Sequence, residues 1–551
     1  MKLQTKPARQ LAPTYDAIVV GSGYGGGVAA SRLARMGFSV AVMEQGRDWR
    51  PGDFPTTTKA RLKSMYVTGK MPSIGDPTGL WRLTVGKGLS VFAATGLGGG
   101  SLINAGIALR PDLHQLRKSG WPEAVLCDGR LDEGLRRAER MLGAKPVPNP
   151  ERFAKYAAME RAAAAAGKKL RRPAMTISHK SGRNAAGVMQ EACEHCGDCW
   201  SGCNTTAKTT VGMTYIADAV DNGAQVFCES RVASIAKAGD GWAVEVEDLS
   251  GGGERRQVKA KNLVLAAGTL GTNELLLRAQ SDGLALSKRL GEKFSANGDD
   301  LVFANKLAQP ANAVAAGHPS QAPLGMPPVG PHSTSMIDLG DELGPACIHD
   351  GSMLTMMARL APYKEALNLC FDRAWRLLRG GVYGDEQSRD LILYIVAHDD
   401  ASGRLKLHKG RVIVDWPDYS KSAGLVAAQT KAQAMIEAMG GVFQSNPFVM
   451  RSFGGNRIIA HPLGGCGMAE HVDQGVVAPD GRVFDPSKGP RGVSEGLYVC
   501  DGAAVPSSVG VSPLLTITAL AERAMILAAE RLNRPLDVDG SPRQLRGDAL
   551  V

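Results

Sequence analysis

The apolar positions near the N-terminus predict a strand, a helix and a second strand in close succession. Ile18–Val20 is a short wholly apolar run, the pattern of a buried strand. Val28–Met36 carries a helical pattern, and Ser39–Met43 reads as the next strand, closed by Glu44. Much further on, "GRLKLHKGRVIVDWP" alternates apolar and polar residues on both sides of a Lys-Gly pair, which predicts a hairpin. "LVAAQTKAQAMIEAMGG" has the spacing of an amphipathic helix ended by Gly440. From Ser352 to Arg379, apolar and basic residues share a helical period. Met353, Met356, Met357 and Leu360 in that stretch are either core packing or a flexible apolar wall for a bulky substrate or a membrane surface. Near the end, "GVSPLLTITALAERAMILAAERL" predicts a helix with Ser512 as N-cap and Pro513 at its first position.

Chemistry enters with the glycines between the first strand and helix. Gly21, Gly23 and Gly26 form G-x-G-x-x-G in the order strand, turn, helix, strand, acid. Gly21 permits the tight turn, Gly23 lets a pyrophosphate approach the backbone, and Gly26 lets helix and strand pack closely. The helix N-terminus favours the phosphate charge. Glu44 suits ribose hydroxyls. The pattern predicts a dinucleotide site. No second complete fingerprint follows, so the substrate itself is the expected electron donor rather than a reduced nicotinamide.

Composition adds bounds. The chain has 551 residues, 44% hydrophobic and 21% charged, an ordinary globular balance with room for two or more domains. The net charge of +10 is either a basic solvated surface or one that attracts an acidic redox partner or anionic lipid. No dense Lys/Arg run is interleaved with aromatics, so nothing supports nucleic-acid binding. The N-terminus lacks an apolar leader segment and no apolar stretch reaches membrane-spanning length, so the expected location is cytoplasmic, without a transmembrane segment.

"CEHCGDCWSGC" sets Cys193, Cys196, Cys199 and Cys203 at C-x2-C-x2-C-x3-C. That is the spacing of bacterial ferredoxin cysteines, with Gly197 and Gly202 allowing a tight path. Asn204 stands where a proline normally follows, and no second such run exists. Three readings stay open: an iron–sulfur cluster with Cys203 as fourth ligand or bystander, a structural zinc site, and a metal-free loop. His195 is a substitute ligand.

Several later segments carry a family resemblance. "GLGGGSLINAG" (Gly96–Gly106), "NLVLAAGTLGTNELLLRA" and "GLYVCDGAAVPSSVGVSPLLTITALAERAM" resemble the flavin-binding segments of the glucose–methanol–choline (GMC) oxidoreductases. "GEKFSANGD" and "HPLGGCGM" resemble that family's bacterial cholesterol-oxidase-like branch. The matches run in one order from Asp16 to Arg531 and are thinnest between Leu301 and Val449. The resemblance implies an α/β fold: a Rossmann-like FAD-binding domain from residues 15–142, 224–295 and 455–534. It also implies a substrate domain with a mostly antiparallel sheet from residues 143–223 and 296–454, including the Cys-rich loop 193–203. Gly21, Gly23, Gly26 and Glu44 would hold the ADP half, and the backbone at Val232 would meet adenine. Gly98, Gly100, Ser101 and Asn104 would line the path from pyrophosphate to ring, and Asp501 and Gly502 would contact pyrophosphate or ribityl chain. No His lies between Trp81 and Pro111, so the expected FAD is non-covalent.

For the catalytic end the resemblance points to His461. Read alone, a histidine before a proline turn is as well a structural residue; the matching family histidine handles the substrate hydroxyl proton. An alcohol C–H leaves as hydride only as its O–H proton departs, which suits a base of near-neutral pKa. The residue matching Ser512 is usually Asn or His, so Ser512 is a departure: a shorter helper, or a helix cap only. The implied function is oxidation of an alcohol CH–OH, of a bulky lipophilic or sterol-like substrate, by hydride transfer to flavin N5. Another flavin oxidation (desaturation or oxidative cyclisation) and a non-catalytic electron-transfer flavoprotein are the alternatives. A cluster at the cysteines would favour a dehydrogenase passing electrons to a one-electron acceptor protein or a quinone; without one, an oxidase is favoured.

Overall fold

The computed structural model describes residues 4–340, 344–360, 371–445 and 456–538. Parts of the Ser352–Arg379 stretch, and the expected boundary at residues 454 and 455, lie outside these. The predicted strand–helix–strand is present as Thr14–Val20, Tyr24–Arg35 and Val40–Met43. The helix starts four residues earlier than its apolar pattern suggests. Its first turn is glycine and tyrosine, invisible to an apolar count but buried against the sheet.

Those strands centre a nine-stranded sheet. Gln225–Phe227, Val40–Met43, Thr14–Val20, Arg255–Leu265 and Val493–Val499 pair in parallel, in that spatial order. These strands are buried on both faces: Ile18, Val19, Val42, Leu263 and Leu497 are wholly buried. Strand Arg255–Leu265 is shared. Its last residues pair with Thr14–Val20 and Val493–Val499, while its first half runs antiparallel to Gly241–Asp248, which pairs with Ser230–Ala238.

The C-terminal helix Leu514–Arg531 packs on Tyr24–Arg35. Between them lies a buried ion pair: Arg32 Nη2 is 2.6 Å from Glu522 Oε1, which also accepts a hydrogen bond from Tyr215 Oη at 2.8 Å. Two segments separated by 490 residues are thereby locked into one layer.

A second, six-stranded sheet is antiparallel throughout: Leu170–Arg171, Met336–Asp338, Cys347–Gly351, Leu391–Val396, Asp300–Asn305 and Val442–Ser445. It has its own apolar core, with Val302, Ile348, Leu393 and Ile436 buried. The predicted hairpin is Arg404–His408 with Arg411–Asp415, turning on Lys409 and Gly410 at φ 48° and 75°. The predicted helix is Ala423–Ala438, and Gly440 leaves it at φ 72°. A five-stranded sheet from residues 65–94 and Arg457–Ile459 is hydrogen-bonded separately from both, and Arg457 pairs with Asp300 of the six-stranded sheet at 2.7 Å. Among the described residues no helix is long and apolar enough to cross a membrane.

Candidate active site

The glycine turn is built by close approach. Gly21 sits at φ 95°, and a Cβ there would lie 2.2 Å from the Ala266 carbonyl oxygen. A Cβ on Gly26 would lie 2.1 Å from the Gly21 carbonyl oxygen, and one on Gly25 only 1.5 Å from that of Cys500. Gly21 and Gly26 thus hold the turn and the helix–strand packing. Gly23 differs: among the described residues only the Gly99 Cα comes within 4 Å of its Cβ position. Two glycine turns therefore face each other, and Gly100 behind them has open space. Gly98 adopts φ 110°, and the Ser101 hydroxyl donates to its carbonyl at 2.7 Å.

Glu44 is buried at the end of its strand. Its carboxylate accepts from Ser22 N at 3.2 Å, Ser22 Oγ at 2.6 Å and Gly46 N at 2.8 Å, and burial raises its pKa. Ser22 Oγ also accepts from Gly98 N at 3.0 Å, so one hydroxyl ties the acid to the second glycine turn. Asn104 donates to Tyr24 Oη at 2.6 Å, while its own Oδ1 is buried without a partner among the described residues. Asp501 is buried, accepts from Thr272 Oγ1 at 2.5 Å and Ala503 N at 2.9 Å, and is raised by burial to about 6. Gly502 follows it against Thr269. Val232 is buried beside a bulge in strand Ser230–Ala238.

His461 follows strand Arg457–Ile459. Its Nδ1 is 2.7 Å from Asp299 Oδ1, and Asp299 Oδ2 accepts from the backbone N of Ala460 and His461 at 2.8 and 2.9 Å. The histidine side chain is 23% exposed and that of Asp299 6%, so the ring is fixed from behind and open in front. A carboxylate can only accept, so Nδ1 carries the proton and Nε2 presents a lone pair.

Two residues before Asp299, Asn297 holds the other side. Its Nδ2 donates to Val511 O at 2.8 Å, and its Oδ1 accepts from Ser508 Oγ, Val509 N and Gly510 N. One short loop thus fixes both His461 and the segment leading to Ser512. Ser512 is buried, but it is not the helix cap: the helix runs Leu514–Arg531 with Pro513 at the cap position and no side-chain cap bond. The first helical hydrogen bond, from Ile517 N at 2.9 Å, runs to the Pro513 carbonyl, which moves the boundary one residue on.

Comparison with known proteins matches this arrangement to one family. The family model "GMC oxidoreductase" covers residues 15–296 with its N-terminal part and 412–521 with its C-terminal part. The chain belongs to the GMC oxidoreductases. It is 27% identical to a cholesterol oxidase of Acinetobacter baumannii, over 93% of this chain and 94% of that one. A cholesterol oxidase of Mycobacterium tuberculosis is 28% identical, over 94% and 91%. A long-chain-alcohol oxidase of Arabidopsis thaliana is 23% identical, over 92% of this chain and 66% of that protein. Among solved structures, pyridoxine 4-oxidase from Mesorbium loti has the same fold, with TM-score 0.60, 15% identity and coverage of 94% and 99%. A fungal aryl-alcohol oxidase gives 0.58, 14%, 95% and 100%.

GMC oxidoreductases bind FAD. The residues here fit such a group: two opposed glycine turns with open space at Gly100, a helix N-terminus capped by no side chain, and the orphaned Asn104 Oδ1. Cys466 and Cys500 of this GMC oxidoreductase are buried core residues; Cys466 Sγ donates to Asn273 Oδ1 at 3.4 Å.

In a second cluster of rings, Trp200 lies tilted 4.5 Å from His332 and meets Tyr394 edge-on at 4.9 Å. Tyr394 Oη, His332 Nε2 and His349 Nδ1 are buried without partners among the described residues. His349 lies near enough to His461 for their charges to interact, and burial lowers it to about 4. Leu301, Phe303 and Met353 form an apolar cluster against Trp200 and Tyr394, so Met353 is packed while Leu360 is exposed.

Cys193, Cys196, Cys199 and Cys203 are all free thiols. Their side chains line one small recess together with Lys208. Among the described residues, however, no three His, Cys, Asp or Glu side chains are drawn together as ligands of a metal ion. Burial favours the uncharged thiols, pushing Cys193 up to about 12. His195 is turned the other way, 2.8 Å from Arg152, so it is no substitute ligand here. Asp299, Asn297 and Lys208 are the residues missed from sequence. The first two lie in "GEKFSANGD", a segment legible as a motif but not as a set of roles.

Proposed function

We propose that this chain is an FAD-dependent enzyme oxidising the CH–OH group of a bulky lipophilic alcohol, with His461 taking the hydroxyl proton. The observation that carries the reading is the His461–Asp299 pair: a base held in one tautomer, closed behind and open in front. The names of the related cholesterol and long-chain-alcohol oxidases support an alcohol, and the apolar cluster around Phe303, Met353 and Trp200 supports a large apolar one.

Gly21, Gly23, Gly26 and Glu44 would hold the ADP half of a non-covalent FAD, with Val232 at adenine. Gly98, Gly100, Ser101, Asn104, Asp501 and Gly502 would hold the rest. Bound flavin supplies the hydride acceptor. The chain's own residues supply the proton path. His461 Nε2 accepts the hydroxyl proton as the C–H bond weakens, and Asp299 stabilises the resulting imidazolium. Ser512, not engaged in capping, is free to donate one hydrogen bond to the substrate oxygen. The helix beginning at Leu514 adds positive dipole at that end. The FAD domain would comprise residues 15–142, 224–295 and 455–534, and the substrate domain the remainder between 143 and 454.

Each turnover removes two electrons and two protons from the alcohol. Oxygen taking both pairs would leave hydrogen peroxide; a one-electron acceptor protein or a quinone would make the enzyme a dehydrogenase. The test is anaerobic mixing with sterols, long-chain and aromatic alcohols while flavin absorbance is followed. Bleaching by an alcohol, abolished in His461→Ala with flavin still bound, is expected. No bleaching by any alcohol would overturn the reading in favour of another flavin oxidation. Unchanged bleaching in the variant would remove His461 from the proton path.

A further inference from the structure

Lys208 is a buried charge that the proton path leaves unused. It is 2% exposed, and its ammonium donates to the carbonyls of Leu102, Asn104 and Cys199 at 3.1, 2.5 and 3.0 Å. Those three bonds use every proton of the group. Among the described residues no carboxylate pairs with it. The Cys199 and Cys203 sulfurs are within its reach, but burial favours the uncharged Cys199 thiol. Burying an ammonium is costly, and carbonyl dipoles offset only part of what an anion would. The described residues therefore leave this positive charge unbalanced.

The backbone places that charge. Lys208 opens a segment that runs behind both glycine turns. Val211 N donates to Ser101 Oγ at 2.9 Å, and Ser101 Oγ donates to the Gly98 carbonyl at 2.7 Å. A Cβ on Gly98 would come 3.3 Å from Gly212 N. One on Gly27, in the helix after the first turn, would strike Val211 Cγ1 at 2.3 Å. The segment is anchored from its far side as well. Thr209 N donates to the Thr176 carbonyl at 2.9 Å, and Lys208 forms a backbone bridge with Ile177. Residues 208–212 thus make a fixed wall behind the turn Gly98–Asn104, and Lys208 is the charged residue among them.

We infer that Lys208 is a positioning residue for FAD, which holds the Leu102 and Asn104 carbonyls from behind and sets there a positive charge that the flavin's own negative charge balances. This role rests on Gly98, Gly100, Ser101 and Asn104 holding flavin as proposed above. It accounts both for the three hydrogen bonds and for the want of a carboxylate, since an acid beside Lys208 would neutralise the site before FAD arrived. FAD is negative at its pyrophosphate and becomes more so when its ring is reduced. A cation behind this turn therefore favours the bound cofactor over the free one and the reduced form over the oxidised.

The test follows the flavin of the full-length holoenzyme rather than its turnover. In Lys208→Met the dissociation constant for FAD, read from flavin released on dilution, is expected to rise roughly tenfold or more. The two-electron midpoint potential, measured with FAD in excess, should fall; a tenfold weaker preference for the reduced form is about 30 mV. Lys208→Gln, which keeps a donor without the charge, should lower the potential in the same direction while holding more flavin, and it serves if the first variant does not fold by circular dichroism. An unchanged dissociation constant in folded Lys208→Met would make Lys208 a cross-link of the core and overturn the inference. An unchanged potential in either variant would do the same, because a brace without its field leaves the potential alone. Failure of both variants to fold with FAD in excess would also overturn it. A parent protein that holds no FAD would instead sink the flavin reading itself.

Discussion

Asp299 shows how much a single residue can decide. It binds the His461 ring through one oxygen and the His461 backbone through the other, so ring and main chain are fixed together. Asparagine would keep the shape. Its amide could donate to Nδ1 and hold the opposite tautomer, leaving Nε2 protonated and unable to accept. Asp299→Asn is therefore expected to lower kcat by roughly 10²-fold or more, with less effect on KM. The fall should lie in kcat with flavin still bound, a split that loosened packing alone would not produce. Steady-state kinetics would check this, with flavin occupancy measured in parallel. A fall in kcat that only follows a fall in flavin content would reduce Asp299 to a structural residue.

The strand–turn–helix Thr14–Arg35 is the element on which the nucleotide end depends. Its helix can start at Tyr24 only because Gly25 and Gly26 let it lie against the turns after Leu265 and Val499. At Gly25 the added methyl would meet backbone rather than a movable side chain, so the helix must shift. Gly25→Ala is expected to abolish flavin retention on purification. Gly100→Ala, where the space is open in the protein alone, should leave the fold intact and weaken flavin binding only. Circular dichroism with flavin absorbance separates the two outcomes; equal flavin retention in both variants would remove the distinction.

Across the molecule as a whole, the N-terminal and C-terminal segments meet through Arg32, Glu522 and Tyr215. The pair is buried, so its net contribution is modest while intact, but removing one partner strands a charge. Glu522→Gln is expected to cost about 3 kcal/mol and to lower the thermal unfolding midpoint by several degrees. A double variant, Arg32→Met with Glu522→Leu, should recover much of the loss. A single variant as stable as the parent would mean that Asp218, which also acts on Arg32, carries the pairing.

Features that depend on neighbours along the chain were legible from the residues alone. The G-x-G-x-x-G turn with its flanking strands, the Lys409-Gly410 hairpin and the Gly440 helix end all follow from local backbone preference and period. The family segments were legible for the same reason, as short ordered blocks. Contacts between distant segments emerge only from the packed fold. Asp299 reaches His461 across 162 positions, Asn297 reaches Val511 across 214, and Lys208 reaches Asn104 across 104. Neither spacing nor composition encodes such partners, because burial and direction are set by how the two sheets and their loops pack. Ser512 marks the same limit from the other side. Local rules made it the helix cap, but the first helical hydrogen bond runs to the Pro513 carbonyl, one residue on.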